Sequence, residues 1–251
     1  MQNNQQLAGA ILLAGVIIAG AILLKDSDSS LAPPAVNRAV ADIQVRAVSI
    51  EEHLRGKADA KIIIIEYSDT ECPFCKVFQG TLQDIVSANK EVAWVYRHYP
   101  IPKLHQKAFR EAMATECAWE QGGNDVFWIY LDEVFARTTS NDSLDPAELP
   151  KIAGDMGLDV PVFNACLESG KFRQKIEKDM EDGQLAGVTG TPHSVFILKK
   201  DISPKQQAAI IRVLPKPEYV SFDPEKKNLL GLSGAMPEKM IEKIIEIFLS
   251  L

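Results

Sequence analysis

Leu7 to Leu24 (LAGAILLAGVIIAGAILL) is an unbroken run of 18 apolar or small residues, and no charged side chain precedes Lys25. As a helix this run extends roughly 27 Å, close to the hydrocarbon thickness of a bilayer. The pattern predicts an uncleaved N-terminal transmembrane helix over residues 1–24, with residues 7–24 in contact with the lipid bilayer. A cleaved signal ending at Ala32 and a buried core helix are the competing readings. Against cleavage stand Pro33, directly after the small-residue position, and an apolar run longer than a signal core. Residues 25–44 are polar, Ser-rich and carry Pro33-Pro34, the composition of a flexible linker. Lys25 is followed by Asp26 and Asp28, so flanking charge leaves the orientation open.

Past the linker, Ser49-Ile50-Glu51-Glu52 has the form of a capping box and predicts a short helix that Gly56 closes. Lys61 to Tyr67 (KIIIIEY) is apolar at consecutive positions, as a central strand covered on both faces requires. Val77, Phe78, Leu82, Ile85 and Val86 then recur at helical spacing, and Val92 to Tyr96 reads as a second central strand. A strand, helix and strand in this order pair in parallel through a right-handed crossover. From Lys103 to about Leu185 the patterns are helical: Asp145-Pro146 signals one helix start, and Phe172, Ile176 and Met180 form a stripe. Ser194 to Leu198 and Leu229 to Leu232 are strand-like. The excursion 199–228 between them, its first half rich in lysine, reads as a solvated surface loop with a short helix or, alternatively, as a segment that shapes the rim of a functional groove or meets a partner. Pro237 opens a final helix with Met240, Ile241, Ile244, Ile245, Phe248 and Leu249 on one face.

The chain has 251 residues, 46% hydrophobic and 24% charged, which excludes bulk disorder and low-complexity classes. Its net charge of -7 argues against nucleic acid as a partner, since no basic face is available to meet phosphates. Four cysteines are too few for a disulfide-framework domain, so their meaning lies in their positions.

Glu66 is a carboxylate at the end of a strand that should be buried, an expensive placement without a task. Six residues later comes Cys72-Pro73-Phe74-Cys75. Pro73 suits the first helical position, which makes Cys72 the N-cap, its sulfur facing free backbone N–H groups and the positive end of the helix dipole. Those groups favour thiolate over thiol. Cys75 lies one turn on and inward, within disulfide reach, and Glu66 behind the pair can exchange a proton with it. Asp69 and Glu71 bring negative charge near the nucleophile and are expected to oppose the thiolate. A zinc site is the bland alternative for a Cys-x-x-Cys pair. Its remaining thiols, Cys117 and Cys166, are 49 residues apart rather than a second close pair, so no metal site is expected. A Gly-rich stretch, Gly187-Val188-Thr189-Gly190-Thr191-Pro192-His193, precedes the strand at Ser194, a place where a cis peptide is tolerated.

Together EYSDTECPFC (Glu66 to Cys75), YRHYPI (Tyr96 to Ile101), the ECAWEQGG segment, FNACLESGKF (Phe163 to Phe172) and GVTGTPHSVFI (Gly187 to Ile197) resemble the DsbA-like thiol-disulfide oxidoreductases. The resemblance covers roughly residues 46–198 and 229–249. It implies an α/β thioredoxin fold over 45–102 and 186–251 with an all-helical domain inserted over 103–185. It further implies Cys72 as nucleophile, Cys75 as resolving thiol and Glu66 as buried acid, with Pro73, Phe74, Thr191, cis-Pro192 and His193 lining the substrate site. The redox-active Cys72–Cys75 disulfide would serve without another cofactor. A membrane-anchored protein on the extracytoplasmic side is expected, donating disulfides to exported proteins that carry thiols and recycled by a membrane redox partner. A reductase or isomerase uses the same residues, and a non-redox peptide-binding chaperone module is the rival of another class. Cys117 and Cys166 form either a structural disulfide or two buried thiols. His193 stands where the family more commonly has a small hydroxyl residue; pointing at Cys72, it would oppose Glu71 and favour the thiolate. His98 and His105 read as structural, and His53 has no context.

Overall fold

The computed structural model describes residues 42–250. The expected membrane anchor, 1–24, and most of the expected linker lie outside the described residues. Among those described, no helix is long and apolar enough to cross a membrane. The linker's far end is corrected: Ile43 is fully buried, and its N–H donates to the Asp223 carboxylate at 2.8 Å. Its side chain completes a cluster with Ile65, Tyr67, Val95, Val188, Val195 and Leu229, so the arm that follows it belongs to the fold.

Among the described residues six strands, β1 (His53–Arg55), β2 (Ile62–Ser68), β3 (Val92–His98), β4 (His193–Leu198), β5 (Val220–Phe222) and β6 (Leu229–Ser233), form one sheet in the order β1-β3-β2-β4-β6-β5. The central β2 pairs in parallel with β3 through helix α1 (Pro73–Ala88), and antiparallel with β4. This is the β-α-β unit the apolar runs predict. Register places Ile62, Ile64, Glu66 and Ser68 on one face of β2, and Ile63, Ile65 and Tyr67 on the other. The first face packs with α1 and helix α7 (Glu238–Leu249), through Phe78, Leu82, Ile241, Ile244 and Ile245, all buried.

Two local expectations fail for tertiary reasons. Residues 49–52 form a turn rather than a helix, because the following residues pair as β1 along the edge of β3 and Glu52 accepts from Arg97 and Arg46 instead of capping. Gly56 ends that strand at φ +105°, where a Cβ would meet the backbone of Ala93 at 3.0 Å. The excursion 199–228 is more than a solvated loop. It holds helix α6 (Pro204–Val213), opened by a Ser203/Gln206 capping box, and the edge strand β5. Ile202, Ile210 and Leu214 bury against the main core.

Between β3 and β4 run helices α2 (Ala108–Arg137), α3 (Glu148–Asp155), α4 (Val160–Ser169) and α5 (Arg173–Leu185). α2 breaks at Gly123, whose φ of +72° is left-handed. These helices share a second apolar cluster, including Met113, Cys117, Tyr130, Leu149, Phe163 and Ile176. Cys117 on α2 and Cys166 on α4 are joined as a disulfide with a Cα separation of 5.9 Å, deciding the alternative that spacing left open. α5 meets the sheet through buried ion pairs. Fully buried Arg97 donates to Asp182 at 2.5 Å and to Glu52, and Tyr67 donates to Asp182. Such charges are tolerated inside only because each has partners.

Candidate active site

Cys72 has the extended backbone of an N-cap (φ -78°, ψ 121°), and Pro73 follows at the first helical position. Cys72 and Cys75 are free thiols. The Cys72 sulfur is less open than an N-cap position suggests: the residue is 5% exposed, and its S–H points to the Thr191 carbonyl at 3.4 Å. Its pKa is brought down to about 6, first by the Cys75 S–H, and further by the amides of Cys75 and Phe74 and by Thr191, against the opposing effect of burial. Cys75 is wholly buried, and burial, reinforced by Cys72 and Glu66, pushes its thiol well above the ordinary value. The two sulfurs thus occupy opposite electrostatic situations three residues apart. Glu66 is also wholly buried, which pushes its carboxyl up to about 8; Ser68 and Trp94 oppose that rise. It is a protonated acid behind the pair at neutral pH.

The carboxylates of Asp69 and Glu71 serve the backbone instead of facing Cys72. Asp69 accepts from the N–H of Glu71 at 2.9 Å and of Ile101 at 2.7 Å, and lies 2.9 Å from His105 Nδ1. Glu71 accepts from Thr138 Oγ1 at 3.0 Å and from the N–H groups of Ser143 and Leu144, each at 3.2 Å. Neither carboxylate is among the main influences on Cys72, so the expected opposition to the thiolate is corrected. Lys76 likewise turns away, donating to the Thr138 carbonyl at 2.5 Å.

Thr191–Pro192 is a cis peptide, and it lies beside Cys72 as the motif implies. His193 is placed otherwise. It pairs with Tyr67 in register, on the sheet face opposite Glu66, and its Nδ1 lies 3.1 Å from Ser233 Oγ. Burial lowers its pKa to about 4, so the ring is neutral and does not supply the positive charge expected toward Cys72. Phe74 is 65% exposed and forms one wall of a cavity of about 320 Å³ with Thr191, Pro215, Tyr219, Gly234 and Met236. Pro215, Tyr219 and Met236 were not found from sequence. For Pro215 and Tyr219 the signal was the excursion's departure from the compact pattern; Met236, outside the excursion, had none.

Among the described residues, one group could hold a metal: His53, His98 and Glu116. His53 Nε2 and His98 Nε2 lie 2.7 Å and 2.9 Å from Glu116 Oε1, and Lys175 Nζ stands 2.9 Å from the same oxygen. The lysine already supplies the compensating cation, and His53 is stacked on Phe127 at 3.4 Å between ring centres. This is a buried ion-pair hub joining β1, β3, α2 and α5.

A sheet of this order, with a helical segment between β3 and β4, defines the DsbA-like class of thioredoxin-fold thiol-disulfide oxidoreductases. The family model described as Thioredoxin matches residues 48–215, and the chain belongs to that family. The crystal structure of Pseudomonas aeruginosa DsbA2 superposes with a TM-score of 0.58 at 26% identity, covering 80% of this chain and 96% of that one. Wolbachia pipientis alpha-DsbA1 gives 0.60 at 21% identity, covering 80% and 92%, and shows the fold alone. A different name attaches to curated relatives: the Na(+)/H(+) antiporter NhaA 1 of Mycolicibacterium gilvum is 31% identical over 166 residues, 65% of this chain and 26% of the relative. NhaA 3 of Salinispora tropica is 29% identical over 184 residues, 73% and 27%. The chain spans about a quarter of the length of these relatives.

Proposed function

We propose that this protein is a membrane-anchored, extracytoplasmic thiol-disulfide oxidoreductase that donates the Cys72–Cys75 disulfide to exported proteins. The observation that carries this reading is the unequal pair: a thiol held down to about 6 beside one pushed well above its ordinary value. In the oxidised protein a substrate thiolate attacks Cys72 Sγ, the Cys72–Cys75 bond breaks, and Cys75 leaves with the electron pair. Glu66 gives its proton to that sulfur, leaving a carboxylate. A second substrate thiolate then attacks the substrate sulfur of the mixed disulfide, and Cys72 departs as a stable thiolate. Two electrons pass from substrate to enzyme, and a membrane redox partner removes them to restore the disulfide. The apolar run supports bilayer contact through residues 7–24, and the family resemblance supports an outward-facing domain.

Substrate is read as an extended peptide laid along Thr191 and Pro192, adding strand-like backbone pairing. The apolar cavity beside Phe74 would take a neighbouring side chain, with the excursion supplying Pro215 and Tyr219 as its rim. Reductase or isomerase action would use the same sulfurs in the reverse sense, and the potential of the pair separates the directions. A potential near that of strong oxidants supports donation; one near that of thioredoxin points to reduction. Oxidative refolding of a reduced test protein separates both from a chaperone. Cys72→Ser should lose disulfide transfer, whereas suppression of aggregation surviving that change unaltered, without transfer in the parent, would establish the holdase instead.

A further inference from the structure

The sheet face beneath Cys75 carries a concentration of buried polar groups that the exchange of sulfurs does not by itself require. Register sets Tyr96 of β3 and Ser194 of β4 directly opposite Glu66 on its two flanking strands. Ser68 is the next residue of β2 on that face, and Trp94 of β3 lies opposite Ile64, the residue of the same face before Glu66. All are essentially inaccessible to water: Glu66 0%, Ser68 1%, Trp94 0%, Tyr96 1% and Ser194 1% exposed. Among the described residues, both Glu66 carboxyl oxygens, Ser68 Oγ, Trp94 Nε1, Tyr96 OH and Ser194 Oγ make no hydrogen bond of ordinary length, although Ser68 and Trp94 act on the carboxyl as donors. Buried polar atoms left so are rare, and four gathered around one carboxyl whose own two oxygens are in the same position point to a task. The chemistry is complementary, since four groups can donate and one, when ionised, only accepts.

Among the described residues no cation acts on Glu66; the groups that do are Ser68, Trp94 and Cys72. The other titratable groups facing this compartment are Cys75 from α1 and Tyr96, on which Asp69 also acts from the turn beyond β2. His98, next on this face of β3, is held by Glu116 at 2.9 Å. A buried carboxylate needs either an opposite charge or several donors.

We infer that Ser68, Trp94, Tyr96 and Ser194 form a cage of neutral donors that holds the Glu66 carboxylate, in place of a cation, once Glu66 has passed its proton to Cys75. These are positioning residues, acting on sulfur chemistry through Glu66. Neutral donors stabilise the anion less than a lysine would, so Glu66 remains protonated at rest yet ionises without leaving a bare buried charge. The inference rests on the proposed redox function. In the resolving step, Cys75 sulfur attacks Cys72 in a mixed disulfide and expels the bound thiolate. The Cys75 proton passes to the caged Glu66 carboxylate.

Loading Cys72 of the full chain with thionitrobenzoate and following its release against pH tests the cage. Tyr96→Phe keeps the ring, whose neighbours include Phe127 at 5.8 Å and Trp128 at 6.2 Å, and removes only the hydroxyl. It should move the midpoint of the release rate upward by about one pH unit, slowing release about tenfold below the midpoint and recovering at high pH. Ser68→Ala should act in the same direction. Neither variant should add an effect in a Glu66→Gln background, and both should leave the alkylation midpoint of Cys72 in place. A midpoint unmoved in both variants, or a parental profile that survives Glu66→Gln, overturns the inference. If the parent releases no thionitrobenzoate at any pH, the redox reading itself fails. The cage is then judged by the infrared carboxyl band of Glu66 in Cys72→Ser/Cys75→Ser protein: an upward shift of its titration on Tyr96→Phe upholds it, and no shift overturns it.

Discussion

The two cysteine pairs of this protein share an element type and almost nothing else. Cys117 and Cys166 lie on the facing sides of two helices, 49 residues apart, among apolar neighbours such as Ala114, Tyr130, Phe163 and Leu167, and are joined. Cys72 and Cys75 lie on one helix turn as free thiols. One of them meets backbone amides and the other an apolar interior with a carboxyl behind it. Reactivity therefore follows from the asymmetry of surroundings rather than from sulfur itself. A pair treated alike by its environment becomes a staple, and a pair treated unequally becomes a site of thiol-disulfide exchange.

Removing each pair should break the protein in a different way. Cys72→Ser is expected to lower disulfide exchange with a small disulfide by about three orders of magnitude, because no thiolate remains at the helix start. Replacing Cys117 and Cys166 together by alanine should leave that exchange within about twofold while lowering unfolding stability in urea by roughly 4 kcal/mol, the chain-entropy value for a loop of this length. Loss of exchange in the second variant would mean that the helical segment takes part in chemistry. Next in size is Glu71→Ala. It strips three hydrogen bonds from the loop after α2, so stability should fall by about 1–3 kcal/mol with the Cys72 titration almost unmoved.

Acidity sharpens the contrast further. The Cys72 thiol titrates near 6 in the folded protein and near 9 as a free model thiol. Between these values the unfolded chain binds more protons, so this group's contribution is present above 9 and lost as pH falls through 6. Glu66, raised to about 8, acts in the opposite sense, its contribution being full below 4.5 and lost as pH rises through 8. The oxidised protein has no Cys72 titration. The stability of reduced relative to oxidised protein should therefore rise from pH 6 to 9 in paired denaturant titrations; a flat difference would contradict a depressed Cys72. The smallest effect expected is that of His193→Thr, which should shift the Cys72 absorbance midpoint by less than about 0.3 unit, since the ring is neutral and lies on the far face of the sheet. A rise larger than that would return His193 to the site.

Much of the site was legible because its signals are short-range. Pro73 at the start of α1 and Glu66 six residues before Cys72 follow from spacing alone, and the isoleucine run announces a strand buried on both faces. The failures share the opposite character. Glu52 resembled a cap, but Arg97 of β3, 45 residues on, claims it. Asp69 and Glu71 looked like charges near a thiolate, but amides from residues 101, 143 and 144 take them. His53 showed no context because Glu116 and Phe127 are remote in sequence.

What the amino-acid order alone determined is the local chemistry: a thiol at a helix start, a second thiol one turn inward, an acid at the strand's end and an apolar run long enough for a bilayer. Such features depend on dihedral preferences and hydrogen bonds spanning a few residues, and they persist wherever the segment is placed. Only the tertiary structure decided that Cys117 meets Cys166, that His193 turns from the sulfurs and that Tyr96 and Ser194 flank Glu66. Those outcomes depend on strand register and helix packing, where a shift of one residue sends a side chain to the other face.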